Sequence, residues 1–515
     1  MNTSVLNEFV DSNRAFFFKK NRERDGARDG VILVDLQTTN AFVACSVMKI
    51  SAAVSDILNQ DIIVVSAMRG GRTIAELIKS FNPLNVVSAK HLIISGFLRN
   101  AASILRSALT INTGDDLGSL KIHGIPVGIH IYDLILARRG LSSIGKMSLS
   151  YRIDLIVNLS FFYAISRYIG ENKVSYAVLP DTVYRQGLLF EIMKSKCLPS
   201  ISGIDINGIS MHKFESPKDY ESHCRVPDMD VVDMVMNNPS LYSNAEAYLS
   251  HRTSGQEQQH DALRAYAKDK AKTSKADLIN AHGLSPDKKI VLVMSHIFCD
   301  APHAYPKMLF RDYADWLIKT CQRLAGNPSV NFVVKEHPSA ALYAEEGTID
   351  RILDSHGFGN KLISKDTNTE SLFNSVDVVV TCGGTVGMEF PCYGVPVLVA
   401  AKPPYAAFPY VVAPDTEATY YSELDRIHEY NKLSEENMRL AKSVLYVIQS
   451  AMKIPKESVG LGSQSYMKGS GFDVDIFLKE MVIDCDSGEG YSALLSAIKI
   501  LLSGEHKNLV NLPRV

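Results

Sequence analysis

The stretch Asp377-Val378-Val379-Val380-Thr381-Cys382-Gly383-Gly384-Thr385-Val386-Gly387-Met388-Glu389, which runs on to Gly394 and then Pro396-Val397-Leu398-Val399-Ala400, decides the fold. Val378 to Thr381 are four consecutive β-branched residues with no polar alternation. Such a run reads as a strand buried on both faces, as in a parallel sheet covered by helices. The glycines after it break the strand, residues 386–393 read as a short helix, and Gly394 stops that helix before the next strand. A strand–loop–helix unit of this kind points backbone N–H groups and the positive end of a helix at whatever sits beyond the sheet, which suits a phosphate. On this reading Gly383, Gly384 and Gly387 omit the Cβ atoms that would hold a phosphate off the backbone. Thr385 caps the helix or gives its hydroxyl to a phosphate oxygen. Glu389, one turn in, is placed to accept from ribose hydroxyls. A tight turn with glycine for steric reasons is the plainer alternative, and the full strand–loop–helix–strand context favours the phosphate.

Working outward, residues 289–294, 330–335 and 361–364 join 377–381 and 396–400 as strands, with helices expected at 310–324, 371–375 and 386–393. Five strands with short helices in so compact a span make a Rossmann-like unit. The first half repeats the texture: Val31-Ile32-Leu33-Val34-Asp35, Asp61-Ile62-Ile63-Val64-Val65 and residues 173–180 read as buried strands, with a helix over 186–196. The expected organisation is an N-terminal Rossmann-like domain (1–215), a polar helical connector (216–285), a C-terminal Rossmann-like domain (286–470) and a C-terminal helical segment (471–515) that crosses back to the first domain. Residues 459–471 read as a Gly/Ser-rich surface loop and 153–169 as a buried helix.

A chain of 515 residues needs more than one core. With 46% hydrophobic and 21% charged residues it is neither disordered nor fibrous. The 54 basic and 56 acidic residues nearly balance, so no nucleic-acid partner is expected. None of the eight cysteines forms a C-x-x-C pair, so neither zinc nor a dithiol is indicated and a reducing cytoplasm fits best. The first 29 residues are polar, with no apolar core of a leader peptide. Membrane contact, where there is any, is therefore expected to be peripheral.

Two further clusters carry chemistry. In Val333-Val334-Lys335-Glu336-His337-Pro338-Ser339 a cation and an imidazole arrive at the carboxyl end of a strand, where open α/β sheets bind ligands, and Pro338 ends that strand. His337 and Lys335 are candidates for the phosphate. Ser295-His296-Ile297-Phe298-Cys299-Asp300-Ala301-Pro302-His303 follows the first strand of the same unit; its spacing matches no zinc pattern, and His296 is expected near a transferred group. Asp133 and Asp181 are the candidate carboxylates for general-base or nucleophilic work, against the plainer reading of Asp as a helix cap.

The order S-H-x-F-x-D-A-P-H, then F-x-D-Y-x-x-W (Phe310, Asp312, Tyr313, Trp316), V-K-E-H-P, G-G-T-V-G-x-E and G-V-P-V resembles bacterial capsule and surface-polysaccharide synthesis proteins of the Kdo-transferase-like group. Residues 288–430 carry the resemblance, with weaker echoes in Gly124 to Gly128, Tyr132-Asp133 and Tyr184 to Gly187. It implies a GT-B glycosyltransferase in which two Rossmann-like domains with parallel sheets face an interdomain cleft. His337 and Pro338 match the family's H-P motif, and Gly384, Thr385 and Gly387 its Ser/Thr-containing loop. The implied donor is a CMP-Kdo-like or UDP-linked sugar and the acceptor a saccharide or glycolipid, with no metal and no cofactor. Peripheral association with the inner membrane or with an assembly complex is compatible with this. A non-hydrolysing nucleotide-sugar epimerase and a catalytically silent nucleotide-sugar-binding subunit are the competing readings.

Overall fold

A computed structural model describes residues 2–22, 28, 30–67, 71–203, 208–222, 225–256, 259–464, 472–504 and 506–512. The chain divides into two compact units. One comprises Met1–Ile131, Lys146–Cys224 and Met452–Asn511; the other comprises Tyr132–Gly145, Arg225–Ala451 and Leu512–Val515.

The first unit is built on strands β1 (Val31–Leu36), β2 (Asp61–Ser66), β3 (Asn85–Ser88), β4 (Val174–Leu179), β5 (Ser200–Ser202) and β6 (His212–Phe214), ordered β3-β2-β1-β4-β5-β6. All neighbours are parallel except β5 and β6. The continuous apolar run of β1 pairs in register with β2 from Val31–Asp61 to Leu36–Ser66, so both of its faces need covering. Helix Ala41–Leu58 covers one of them. It starts where the Asn40 side chain caps the Val43 N–H and ends where Asn59 turns left-handed. The N-terminal helix Thr3–Arg22 and the C-terminal helices Val474–Ser487 and Glu489–Ser503 add to the same core, where Phe17 meets Tyr491 edge-on at 5.3 Å. Lys49, buried in helix Ala41–Leu58, ion-pairs with Asp484 and donates to the Gly460 carbonyl at 2.8 Å.

The second unit carries β7 (Lys289–Met294), β8 (Val330–Lys335), β9 (Leu362–Ile363), β10 (Val378–Thr381), β11 (Val397–Val399) and β12 (Val411–Val412), ordered β9-β8-β7-β10-β11-β12 and parallel throughout. Each sheet, counted in its own chain order, thus reads 3-2-1-4-5-6, the Rossmann order. The α/β class and the pair of Rossmann-like units are as the sequence predicts.

The boundaries differ in four places, one of them Tyr132–Gly145, which is part of the second unit and not of the N-terminal one. Residues 452–464 and 472–504 pack within the first unit, so its chain returns to it earlier than position 471. Of the 459–471 loop, residues 465–471 lie outside the described residues. The polar stretch from Arg225 onward is part of the second unit and not a solvated connector. Its helix Pro239–Thr253 buries Leu241, Ala245, Leu249 and Arg252, and packs on helix Glu435–Tyr446. The expected helix at 310–324 begins only at Tyr313, because Asp312 caps it by accepting from the Asp315 N–H at 2.8 Å.

Candidate functional site

Strands β7 and β10 are neighbours in space but not in sequence, so the helices that follow them diverge and leave a crevice at their carboxyl ends. Three segments meet there within the second unit: Ser295-His296 after β7, Glu336 to Ser339 after β8, and Cys382 to Val386 after β10. The Ser295 hydroxyl accepts from the His337 N–H at 3.1 Å, joining the first two.

His296 joins the first and third. Its Nε2 accepts from the N–H groups of Cys382 at 3.2 Å and Gly383 at 3.3 Å, and lies 3.1 Å from the Thr381 hydroxyl. Burial, with His337 adding, pushes its pKa down to about 3, so the ring is neutral and Nε2 is free to accept. Tyr313 stacks under it at 4.3 Å and Trp316 meets it edge-on. The Phe310–Trp316 motif is therefore the footing of the glycine loop, and His296 is the post that holds the loop rather than a group directed at substrate.

The loop's glycines have distinct reasons. A Cβ on Gly383 would lie 2.6 Å from the Tyr305 ring, and one on Gly387 would lie 2.3 Å from the Tyr405 hydroxyl. These two make room for tyrosines, not for a ligand, which corrects the sequence reading. Gly384 differs: its Cβ would meet Thr381, Val386 and His296 at 3.3 Å or more, and it lines a small cavity of about 50 Å³ with Thr385, Val386 and His337. The Gly387 N–H turns back to the Gly384 carbonyl, and those of Met388 and Glu389 to the Thr385 carbonyl. Among the described residues, the N–H groups of Gly384, Thr385 and Val386 have no acceptor. Thr385 makes no side-chain cap, so its hydroxyl is also uncommitted to the helix.

His337 faces the same cavity. Its Nδ1 accepts from the Ser339 N–H at 3.2 Å, and burial lowers its pKa, so the neutral ring keeps Nε2–H as a donor. Pro338 follows it, three residues past the end of β8 at Lys335, and lines the same cavity. Glu389 forms the far wall. Its carboxylate accepts from the Arg252 guanidinium (Nε at 2.9 Å, Nη2 at 2.7 Å) and from the Tyr266 hydroxyl, all three groups being buried. Arg252 and Tyr266 come from the polar stretch whose composition reads as solvated, so sequence reasoning missed them; the Tyr-Leu-Ser-His-Arg-Thr run is the one local hint.

A second, larger cavity of about 180 Å³ adjoins the first through His337 and Pro338. Arg264, Lys270, Lys335 and Lys365 line it against Glu336, Glu346 and Asp366. The Lys335 ammonium donates to the Thr367 carbonyl at 2.9 Å. Burial and the neighbouring Lys270 lower its pKa to about 7. An anion entering this cavity would restore the full charge of Lys335.

The candidate carboxylates lie elsewhere. In the second unit Asp133 is buried, and its oxygens accept from His303 Nδ1 at 2.6 Å and from the His303 N–H at 3.2 Å. Burial pulls the His303 pKa down, but the Asp133 charge outweighs it and leaves the value above the ordinary one. Asp133 therefore pins the loop after β7. In the first unit Asp181 is exposed after β4 and accepts from the Thr182 N–H at 2.7 Å. Asp35, near the end of β1, is a carboxyl not singled out in the sequence: burial raises its pKa to about 6, while Gln37 hydrogen-bonds it and Arg185 offsets part of the rise. Among the described residues no group of three or more His, Cys, Asp or Glu could hold a metal ion.

Residues 227–409 match the family model described as capsule polysaccharide biosynthesis protein. Among curated proteins, no sequence matches the chain. Similar solved structures include the beta Kdo 2,4 transferase KpsC of Thermosulfurimonas dismutans (13% identity, 52% of this chain and 79% of that one, TM-score 0.31). They also include the UDP-GlcNAc 2-epimerase of Neisseria meningitidis (9%, 81% and 98%, 0.23). A third is an O-GlcNAc transferase mutant of Thermobaculum terrenum (10%, 92% and 70%, 0.27).

Proposed function

We propose that this chain, whose residues 227–409 match the family model of capsule polysaccharide biosynthesis proteins, transfers a sugar from a CMP- or UDP-linked donor to a saccharide or glycolipid acceptor of a surface polysaccharide. One observation carries the reading: Gly384, Thr385 and Val386, whose N–H groups have no acceptor among the described residues, line one cavity with His337, whose Nδ1 is committed to the Ser339 N–H. Preorganised donors of this kind meet the charge that grows on a leaving phosphate without reorganising. The cation-lined cavity beyond His337 accepts the next anionic or polar part of the nucleotide. Both cavities are smaller than the ~300–1,000 Å³ usual for a whole ligand, so they take the phosphate and part of the nucleoside. The leaving-group charge is thus met by protein donors and cations, a scheme that calls for no metal. With Asp133 committed to His303, the exposed Asp181 is our candidate for the base that deprotonates the acceptor hydroxyl.

Incubation of the chain with CMP- and UDP-sugars tests this. Nucleotide release that depends on a saccharide acceptor is expected, as is an Asp181→Ala variant that binds nucleotide but transfers no sugar. Isomerisation of a UDP-sugar without an acceptor would assign the epimerase reading instead. Binding of nucleotide with neither reaction would make the chain a nucleotide-sugar-binding subunit.

A further inference from the structure

The helix Ala89–Thr110 of the first unit carries two apolar faces, and only one is covered. Leu92, Gly96, Ile104 and Ala108 are buried against helix Leu149–Glu171. The approach is close enough that a Cβ on Gly96 would lie 1.9 Å from the Ser160 carbonyl oxygen. Ile94, Leu98, Leu105 and Leu109 stand on another face as two i,i+4 pairs, one on each side of a kink at Asn100 (φ −127°, ψ 19°). Leu98 is 74% and Leu109 75% exposed. The apolar content does not mark a core helix: 22% of its apolar window is buried, against 78% for helix Ala41–Leu58.

The patch extends onto the partner helix. Arg152 donates to Asn112 Oδ1 at 3.0 Å and to the Ala108 carbonyl, which brings the first turn of helix Leu149–Glu171 beside the last turn of Ala89–Thr110. That first turn presents Leu149, 77% exposed, and Ile153, 52% exposed. Singly exposed leucines are ordinary on a protein surface, whereas six large apolar side chains gathered on one helix pair mark an interaction face.

The charge around this face identifies what covers it. From Ala89 to Gly114 and from Lys146 to Ile153 there is no Asp or Glu, while Lys90, Arg99, Arg106, Lys146 and Arg152 are present; the carboxylates that bound these segments are Asp154, which is buried, and the exposed Asp115 and Asp116, of which Asp116 accepts from the Asn112 and Thr113 N–H groups. Lys90, Arg99, Arg106 and Lys146 meet no carboxylate among the described residues. An apolar stripe flanked by uncommitted cations complements a bilayer surface rich in anionic headgroups: the leucines enter the acyl boundary and the cations meet the phosphates. The kink, the three charges within the helix and its covered face all fit a helix lying in the interface plane, not one that spans. We propose that this helix pair is a docking surface for the anionic face of a lipid bilayer.

Co-sedimentation of the full chain with vesicles of phosphatidylcholine alone, or of phosphatidylcholine with phosphatidylglycerol, tests the proposal. The chain should sediment with the anionic vesicles, at least about tenfold less with the neutral ones, and less as salt rises. Leu98→Asp/Leu109→Asp and, separately, Arg99→Glu/Arg106→Glu should each lower the partition by about tenfold or more while leaving the thermal midpoint unchanged, since all four side chains are exposed. The arginine pair keeps the test open where the leucine pair fails to fold. A chain that stays in the supernatant, or variants that sediment like the parent, would overturn the assignment. So would a dimer in lipid-free solution that Leu98→Asp/Leu109→Asp converts to monomer without affecting vesicle binding, because the stripe would then be a self-association face.

Discussion

The two sheets share one strand order, yet their carboxyl edges at the crossover between the first and fourth strands are finished in opposite ways. In the first unit the described side chains at that edge bond one another: Gln37 bonds Asp35, and Arg185 bonds Gln37 at 2.9 Å and Asn158 at 2.9 Å. In the second unit the edge is open, with backbone donors, an imidazole and the four cations Arg264, Lys270, Lys335 and Lys365 lining cavities. Topology therefore says where a ligand could bind, and the loops decide whether the place is filled from within or left for one. Gly187 and Gly384 make the same contrast in miniature. The missing Cβ of Gly187 admits the His130 ring, 2.0 Å from where that atom would be, while Gly384 borders empty space.

The contrast can be broken at either edge. The largest effect is expected at Glu389, whose replacement by Gln leaves the Arg252 guanidinium buried without its charge partner. A loss of about 3–5 kcal/mol is expected, read as a drop in the urea midpoint of the second unit's transition. A loss under about 1 kcal/mol would mean the pair is not a structural wall of the site.

Asp35→Asn probes the edge of the first unit. The folded carboxyl titrates near 6 against an ordinary 3.8, so the folded state holds the proton more tightly than the unfolded chain. Stability then falls as pH rises from about 4 to 6 and is flat above that. The Asn variant lacks this fall and should be more stable at pH 7 by on the order of 3 kcal/mol, with little difference at pH 4. Denaturation midpoints at the two pH values measure it, and an equal change at both would show that the carboxyl is not held protonated. A smaller effect, on binding and not on folding, is expected at His337: replacing it by Ala removes one charge-assisted donor and weakens nucleotide binding by about 1.5–3 kcal/mol, or roughly 10- to 150-fold.

Much of this was legible in the chain. Runs such as Val378 to Thr381 have one reading as buried parallel strands, and the interval between strands leaves room only for crossovers. The positions of His337 and the Thr381–Gly387 loop follow from where those strands stop. What the loop's glycines do was not legible, because Tyr305 and Tyr405 are distant in sequence and their rings occupy the space over Gly383 and Gly387. Arg252 escaped for a related reason: a charged residue in a polar stretch looks solvated until a buried carboxylate is found to neutralise it. His296 could be placed at the site but not given its task, since its acceptor role depends on burial that keeps the ring neutral.

The most direct test of the open edge is thermal unfolding of the full chain with CMP, UDP and their sugar-linked forms, run in parallel on His337→Ala and Gly384→Val. A nucleotide that binds should raise apparent stability by on the order of 2.7 kcal/mol at about 100 times its Kd. The rise should shrink in His337→Ala and vanish in Gly384→Val, whose side chain enters the cavity. No rise with any nucleotide, or a rise that both variants keep, would contradict the assignment of this edge as the donor site.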